Sequence, residues 1–399
     1  MPTIDVTLGA DFNVNDTTVI FPPFEFNADP AENLLIFLDE FLGSYVIEGS
    51  SGTSARLYYS GGSGLVDATP GTGGYFFDFS DRTGTVTIQG GDFADIITGG
   101  SGVNTLTGGE GNDTLTGGAA SDVLEGGAGA DILNGGGGTD TASYASSSIG
   151  VTVNLLTGIN TGGDAEGDTL SGISRIIGSA HEDVLTGDDA ANTLIGGSVY
   201  DSLFGAGGND RLVVSETPMI VDGGSGTDIM IVVGPSLFTD GTFINVEKTY
   251  VRNGGSADFT PMTTGQTVVS QSTAGNMAVI IGSEAADRIY GGRGSDILIG
   301  GAGNDKMFAG TGGDIFTYQK HYLTELPLDF GRDNIYRFDV THDRLDVVDI
   351  VDSFDEVNIR SVHKGQDTEI TFATSTNPAD KIILHDVIAS SLTADNFFI

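Results

Sequence analysis

Gly108-Gly109-Glu110-Gly111-Asn112-Asp113-Thr114-Leu115-Thr116 and Gly291-Gly292-Arg293-Gly294-Ser295-Asp296-Ile297-Leu298-Ile299 are two copies of one nine-residue unit that recurs along this chain. The unit reads as two glycines, a spacer, usually a third glycine, another spacer, an aspartate, and a short strand with an apolar middle residue. Self-similarity at a short fixed period predicts a solenoid, in which each unit adds one rung to a stack. Three stretches carry the period. Over 90–143, position six holds Asp95, Asn104, Asp113, Asp122, Asp131 and Asp140, and position eight holds Ile97, Leu106, Leu115, Leu124, Leu133 and Ala142. Over 178–231, position six holds Asp183, Asn192, Asp201, Asp210 and Asp228. The copy Val214 to Asp222 keeps the length but has Met219 at that position, which predicts a rung without a full metal site. Over 282–317 the aspartates are Asp287, Asp296, Asp305 and Asp314.

Each residue type has a physical reason. Glycine admits positive φ and close backbone approach, so the first half of the unit turns tightly and aims carbonyl oxygens at one point. The aspartate adds a hard anionic oxygen, and an all-oxygen ligand set suits calcium rather than zinc or copper. The final three residues are long enough only for a strand, whose single inward side chain fills the interior. Rungs about 4.8 Å apart bring neighbouring carboxylates into a repulsion of about 3.5 kcal/mol at an effective dielectric near 20. A divalent cation between turns converts that repulsion into bridging and couples metal binding to folding.

With these residues in place, the chain resembles the repeats-in-toxin family, whose nonapeptide is GGxGxDxUx with U a large apolar residue. The resemblance implies an all-β fold, a right-handed parallel β-roll or β-helix in which two nonapeptides make one turn, with several calcium ions held between consecutive loops on both edges. On that basis Asp95 and Asp113 stack on one edge and Asp122 and Asp140 on the other. Asn104 and Asn192 offer neutral oxygens, and Phe93, Ala120, His181 and Tyr200 stand near where a third glycine belongs, so the outermost sites of each run depart from the pattern.

Sixteen basic against 55 acidic residues give a formal charge of −39. Without a basic stripe this excludes nucleic-acid backbones and insertion into anionic membranes as partners. There is no cysteine, hence no disulfide and no thiolate chemistry, and calcium takes the place of covalent staples. The start, Met1-Pro2-Thr3-Ile4-Asp5-Val6, has no basic segment or apolar stretch, so no conventional signal peptide is read there, and no run of eighteen apolar residues occurs. The end, Ser390 to Ile399, closes on Phe397-Phe398-Ile399 after a polar stretch. It is similar to the uncleaved carboxy-terminal signal that repeats-in-toxin proteins present to type I secretion machinery of Gram-negative bacteria, which implies an extracellular or cell-surface protein. The acidic stretch Asp333 to Asp339 and Asp343 to Val347 resembles the segment that follows the last repeats in that family.

The expected organisation is a β-rich amino-terminal region or cap (1–89), repeats (90–143), a connector of widened rungs (144–177), repeats (178–231), a second widened connector (232–281), repeats (282–317), and a carboxy-terminal cap with the secretion signal (318–399). Strand-like runs in the first segment are Asn33 to Phe37, Ala55 to Tyr59, Tyr75 to Phe79 and Thr85 to Ile88. Phe21, Phe24, Phe26, Leu35, Phe37 and Phe41 suggest a region that closes the core or seats a partner.

No catalytic constellation is recognised. His181-Glu182 has Leu185 where HExxH needs histidine, and no GxSxG elbow occurs. The most enzyme-like cluster is Glu247, Lys248, Tyr250 and Arg252, whose alternation is also that of a solvated strand. Two functions follow: a secreted, calcium-stabilised structural protein that self-assembles into a surface layer, filament or matrix, or a secreted polysaccharide-binding or polysaccharide-active (lyase- or epimerase-like) protein using the surface near 232–281.

Overall fold

A computed structural model describes residues 75–80, 83–318, 330–375 and 377–399, together with the backbone of the strands Thr18–Ile20, Leu34–Leu38, Gly43–Val46, Ala55–Tyr59 and Gly64–Asp67. The regular elements among the described residues are short strands and single 3-10 turns. The chain divides into two units, Met1–Ser198 and Val199–Ile399.

The first unit is a parallel solenoid in which consecutive nonapeptides alternate between two stacks. Ile96–Thr98, Thr114–Gly118, Ile132–Gly136 and Thr169–Ser171 pair in parallel in one. Val86–Gln89, Thr105–Glu110, Val123–Ala128, Asp140–Ser143, Ile173–Ile177 and Thr193–Ile195 pair in the other. The register Leu115↔Ile97 and Leu124↔Leu106 is an offset of two nonapeptides, so two repeats make one turn. Ile97, Leu106, Leu115, Leu124, Leu133 and Ala142, all at position eight, are completely buried and form the core column. Each leucine so buried contributes about 1.5–3 kcal/mol, and truncating Leu115, flanked in register by Ile97 and Leu133, costs about 2–5 kcal/mol.

The amino-terminal region also contributes short strands. Its described strands stack in parallel below the repeats: Leu34–Leu38 on Ala55–Tyr59 on Tyr75–Asp78 on Ile96–Thr98, and Thr18–Ile20 on Gly43–Val46 on Gly64–Asp67 on Val86–Gln89. The side chains of Phe21, Phe24, Phe26, Leu35, Phe37 and Phe41 lie outside the described residues. The first connector adds Thr169–Ser171 and Ile173–Ile177 to the existing stacks and begins a new one with Thr152–Asn154, which pairs with Val184–Thr186, and its Tyr144 ring is buried.

The second unit repeats the principle. Arg211–Val214, Ile229–Val232, Lys248–Val251, Thr267–Ser270, Arg288–Tyr290, Lys306–Phe308 and Arg332–Tyr336 form one parallel stack. Pro235–Leu237, Ser256–Asp258, Val279–Ile281, Ile297–Ile299, Ile315–Thr317 and Arg344–Asp346 form another. The motif-poor copy still provides a rung, Ile220–Asp222, with Val221 inward. In the wider connector the interior is filled by aromatic rings, with Phe238 and Phe259 stacked at 4.9 Å and Phe243 against both. The solenoid ends in an antiparallel pair, Val357–Val362 with Asp367–Phe372, joined to Lys381–Leu384, which also pairs with Arg332–Tyr336. Phe397–Phe398 pairs with Arg344–Asp346, and Phe397 is buried, so the apolar tail closes the second stack as a cap.

Candidate metal centres

The turn that precedes each strand depends on glycine for space as well as for conformation. Gly109 and Gly111 have φ of 121° and 123°, values that L side chains rarely adopt. A Cβ on Gly108 would lie 2.0 Å from Asp113 Oδ2 and 2.6 Å from the Gly126 carbonyl oxygen of the next turn. The first glycine of the repeat therefore keeps open the ground on which a carboxylate oxygen and a carbonyl oxygen converge. The same pair surrounds Gly117, with Asp122 Oδ2 and the Gly135 carbonyl.

Position six forms a ladder. The Asp95 N–H donates to Asp113 Oδ1 at 2.7 Å and the Asp113 N–H to Asp131 Oδ1 at 2.7 Å, while the Asp122 N–H donates to Asp140 Oδ1 at 2.7 Å. This is the predicted stacking of Asp95 with Asp113 and of Asp122 with Asp140. In the second unit the ladder runs Asp210 to Asp228 at 2.8 Å, Asp287 to Asp305 at 2.8 Å and Asp296 to Asp314 at 2.8 Å. Asp183 accepts from the Val151 N–H. Asp201 is buried, and the following turn offers Met219, whose N–H donates to the Asp201 carbonyl.

One oxygen of each inner carboxylate is thus used by the fold. The other is not: Oδ2 of Asp113, Asp122, Asp131, Asp140 and Asp305 is buried without a hydrogen-bond partner. Buried anionic oxygens facing carbonyl oxygens, with no donor between them, are unfavourable unless a cation is supplied. Burial raises these acids accordingly: Asp113, Asp131 and Asp305 to about 7 and Asp122 to about 6, with neighbouring carboxylates adding to the rise and backbone N–H donors opposing it. Asp140, Asp228 and Asp314 are raised for the same first reason. Among the described residues no three His, Cys, Asp or Glu side chains converge on one point. One carboxylate per turn plus backbone carbonyls is a donor set for a hard, oxygen-seeking ion, which is calcium.

The ends of the runs are built differently. The Ser179 hydroxyl donates to Asp183 Oδ1 at 2.8 Å, the Ser283 hydroxyl lies 3.0 and 3.1 Å from the two oxygens of Asp287, and the Ser272 hydroxyl donates to Asp296 Oδ2 at 2.9 Å. At these positions a protein hydroxyl shares the carboxylate.

The ladder also extends beyond the repeats through residues that the nonapeptide pattern does not mark. The Asp131 N–H donates to Asp168 Oδ1, Asp228 to Glu247 Oε2, Asp305 to Asp333 Oδ1, and Asp314 to Asp343 Oδ1, at 2.6 to 2.9 Å. Asp168 Oδ2 accepts from the Tyr144 phenol at 2.9 Å, and the buried Asp333 carboxyl group has the Tyr318 phenol beside it. The only local signal is a glycine one or two residues earlier, Gly167 or Gly331, too little to find them. Glu247 therefore belongs to this ladder, and Lys248 Nζ lies 4.7 Å over the Tyr250 ring of its own strand.

Asn104 departs from the expected neutral oxygen: Oδ1 accepts from the Val86 N–H, and the amide nitrogen faces the turn. Asn192 does present its oxygen, to the Asp188 N–H at 2.7 Å.

Fold and site together define a calcium-binding parallel β-solenoid. The family model for the RTX calcium-binding nonapeptide repeat (4 copies) matches residues 87–115, 107–142, 168–203, 186–215 and 281–316, so the chain carries RTX repeats, which bind multiple calcium ions. No curated protein matches the chain. Among solved structures it is similar to the AlgE6R2 subunit of the mannuronan C5-epimerase from Azotobacter vinelandii, with 25% identity over 36% of this chain and 90% of that one and a TM-score of 0.26. It is also similar to the extracellular lipase LipA from Serratia marcescens, with 16% identity over 80% of this chain and 40% of that one and a TM-score of 0.18. No helix among the described residues is long and apolar enough to cross a membrane.

Proposed function

We propose that the protein is a secreted structural component whose β-roll folds when it meets calcium outside the cell and then self-associates. In this reading Asp113, Asp122, Asp131, Asp140, Asp210, Asp228 and Asp305 hold calcium with carbonyls of their glycine turns, and Asp95, Asp183, Asp201, Asp287, Asp296 and Asp314 complete the runs. The carrying observation is the row of buried carboxylate oxygens without donors, which makes the closed stack dependent on an external cation. Extracellular modules bind calcium with dissociation constants of about 0.1–1 mM, so the chain stays open in calcium-poor cytosol, compatible with passage through type I secretion machinery. Exposed apolar side chains on the first run, Phe93, Ile96, Val103 and Ile132, support self-association. At a net charge of −39, bound calcium must first reduce repulsion between copies. Light scattering across a calcium titration tests this: assemblies above the folding midpoint are expected, and a monodisperse monomer at about 1 mM calcium contradicts self-assembly.

A second reading, a polysaccharide-binding or polysaccharide-active protein, is favoured by one observation. Exposed Arg288 and Lys306 stand side by side in register on one outward face, a local cationic column on an acidic protein. Binding and turnover assays on uronate polymers separate this reading from the first.

A further inference from the structure

Asn104 occupies position six of its turn, yet its contacts are not those of an aspartate with the charge removed. Its Oδ1 accepts from the Val86 N–H at 3.2 Å. Its Nδ2 lies 3.3 Å from the Gly100 carbonyl, 2.8 Å from the Gly102 carbonyl and 3.0 Å from the Gly117 carbonyl. The orientation of the amide is fixed by this network, because a backbone N–H needs an acceptor on one side and three carbonyls need a donor on the other. Gly100 and Gly102 belong to the turn of Asn104, whereas Gly117 opens the turn of Asp122, in the rung directly above. The amide therefore stitches two successive turns together at the place where their carbonyl oxygens converge.

The corresponding position around Asp113 contains acceptors and no donor, since Asp113 Oδ2 has no partner. At Asn104 the donors are part of the protein, and the side chain is completely buried. We infer that the Asn104 amide stands in for the cation at this turn, so that the site between the turns of Asn104 and Asp122 is closed without calcium. The array on that edge then begins one turn later, and Val86, on the last strand before the repeats, is tied to a turn that needs no metal. This inference rests on the calcium reading of position six.

The test is the number of calcium ions bound per full-length chain, measured by equilibrium dialysis with metal analysis at saturating calcium, for wild type, Asn104→Asp and Asp122→Asn. Asn104→Asp replaces two donors with an acceptor and opens the carbonyl cluster to an ion, so it should bind one more calcium than wild type. It should also require more calcium to fold. Asp122→Asn should bind at least one fewer. An Asn104→Asp chain that folds in calcium with the wild-type count overturns the inference, and so does one that fails to fold in saturating calcium, because the turn then rejects a cation. If Asp122→Asn also keeps the wild-type count, position six is not a ligand and the calcium reading itself fails.

Discussion

The inner turns of the first run and the opening turns of the third share a sequence pattern but meet their carboxylates differently. Around Asp113, Asp122 and Asp131 the second carboxylate oxygen is buried with no donor. Around Asp287 and Asp296 that oxygen accepts from the backbone N–H of Ser283 and of Gly292, and the hydroxyls of Ser283 and Ser272 add a second donor. The third run also carries an outward aromatic ladder, Tyr290, Phe308 and Tyr336, with ring centroids 4.5 and 4.7 Å apart, continued by His385 at 4.2 Å. These rings stack on one another, which joins rungs by a contact independent of metal. The comparison teaches that one repeat can be closed by an external ion or partly by the chain's own groups, and that metal dependence is unevenly distributed along the fold.

Chelation breaks the comparison most completely. Removing calcium should collapse the β circular dichroism of the first run before that of the third, and calcium should restore it. Magnesium should substitute poorly, because it resists dehydration and demands a tighter octahedron. Hydrogen exchange resolved by segment reads the order, and uniform loss contradicts the unequal dependence.

Single ligands sharpen it. Asp113→Ala or Asp122→Ala removes the charged oxygen of a turn that has no substitute, and each should raise the calcium midpoint for folding about tenfold, equivalent to about 1.4 kcal/mol. Asp287→Ala should raise it less. Equal shifts for all three refute the distinction.

The pH dependence has a defined sign. Asp113 and Asp131 are raised to about 7 and Asp122 to about 6 in the metal-free fold, chiefly by burial. Their protonated forms favour that fold below the ordinary aspartate value of 3.8, and this contribution is lost as pH rises through about 6 to 7. In chelator, acidification from neutrality toward pH about 5 should therefore recover β structure. Calcium must displace those protons, so its apparent affinity should increase as pH rises through that interval, with proton release measurable by calorimetry in buffers of different ionisation enthalpy. An affinity independent of pH there contradicts the assignment of buried carboxylates as ligands.

Much of this was legible in the sequence. The nonapeptide period dictated the strands and the buried column from Ile97 to Leu133, because a three-residue strand has only one inward side chain to place. The two-repeat turn, and with it the pairing of Asp95 with Asp113, came with the resemblance to the repeats-in-toxin family. Asp168, Glu247, Asp333 and Asp343 were not legible, since they reach the ladder across connectors of irregular length after the glycine spacing has lapsed. The role of the Asn104 amide depends on which way a planar group is turned, and that is decided by Val86 and Gly117 on neighbouring rungs rather than by local sequence. The amino-terminal region reads as a separate element because its glycine pairs, Gly61-Gly62 and Gly73-Gly74, do not recur at the nine-residue spacing.

The smallest effect concerns the serines. Ser283→Ala or Ser272→Ala removes a hydroxyl from a buried carboxyl group and should destabilise the metal-free fold recovered in chelator near pH about 5 by about 1 kcal/mol, with a melting shift of about 2–4 °C. It should leave the calcium-saturated state nearly unchanged. A loss of equal size in calcium shows that the hydroxyl is not a substitute for the ion.

The central claim, that closing the stack and binding calcium are one event, is tested most directly by a single titration of the full-length chain in which bound calcium and β circular dichroism are recorded on the same samples. The two curves should superimpose throughout the titration, starting from a largely unfolded chain in chelator. Full β structure before any calcium is bound, with the ions then taken up at unchanged dichroism, would contradict it.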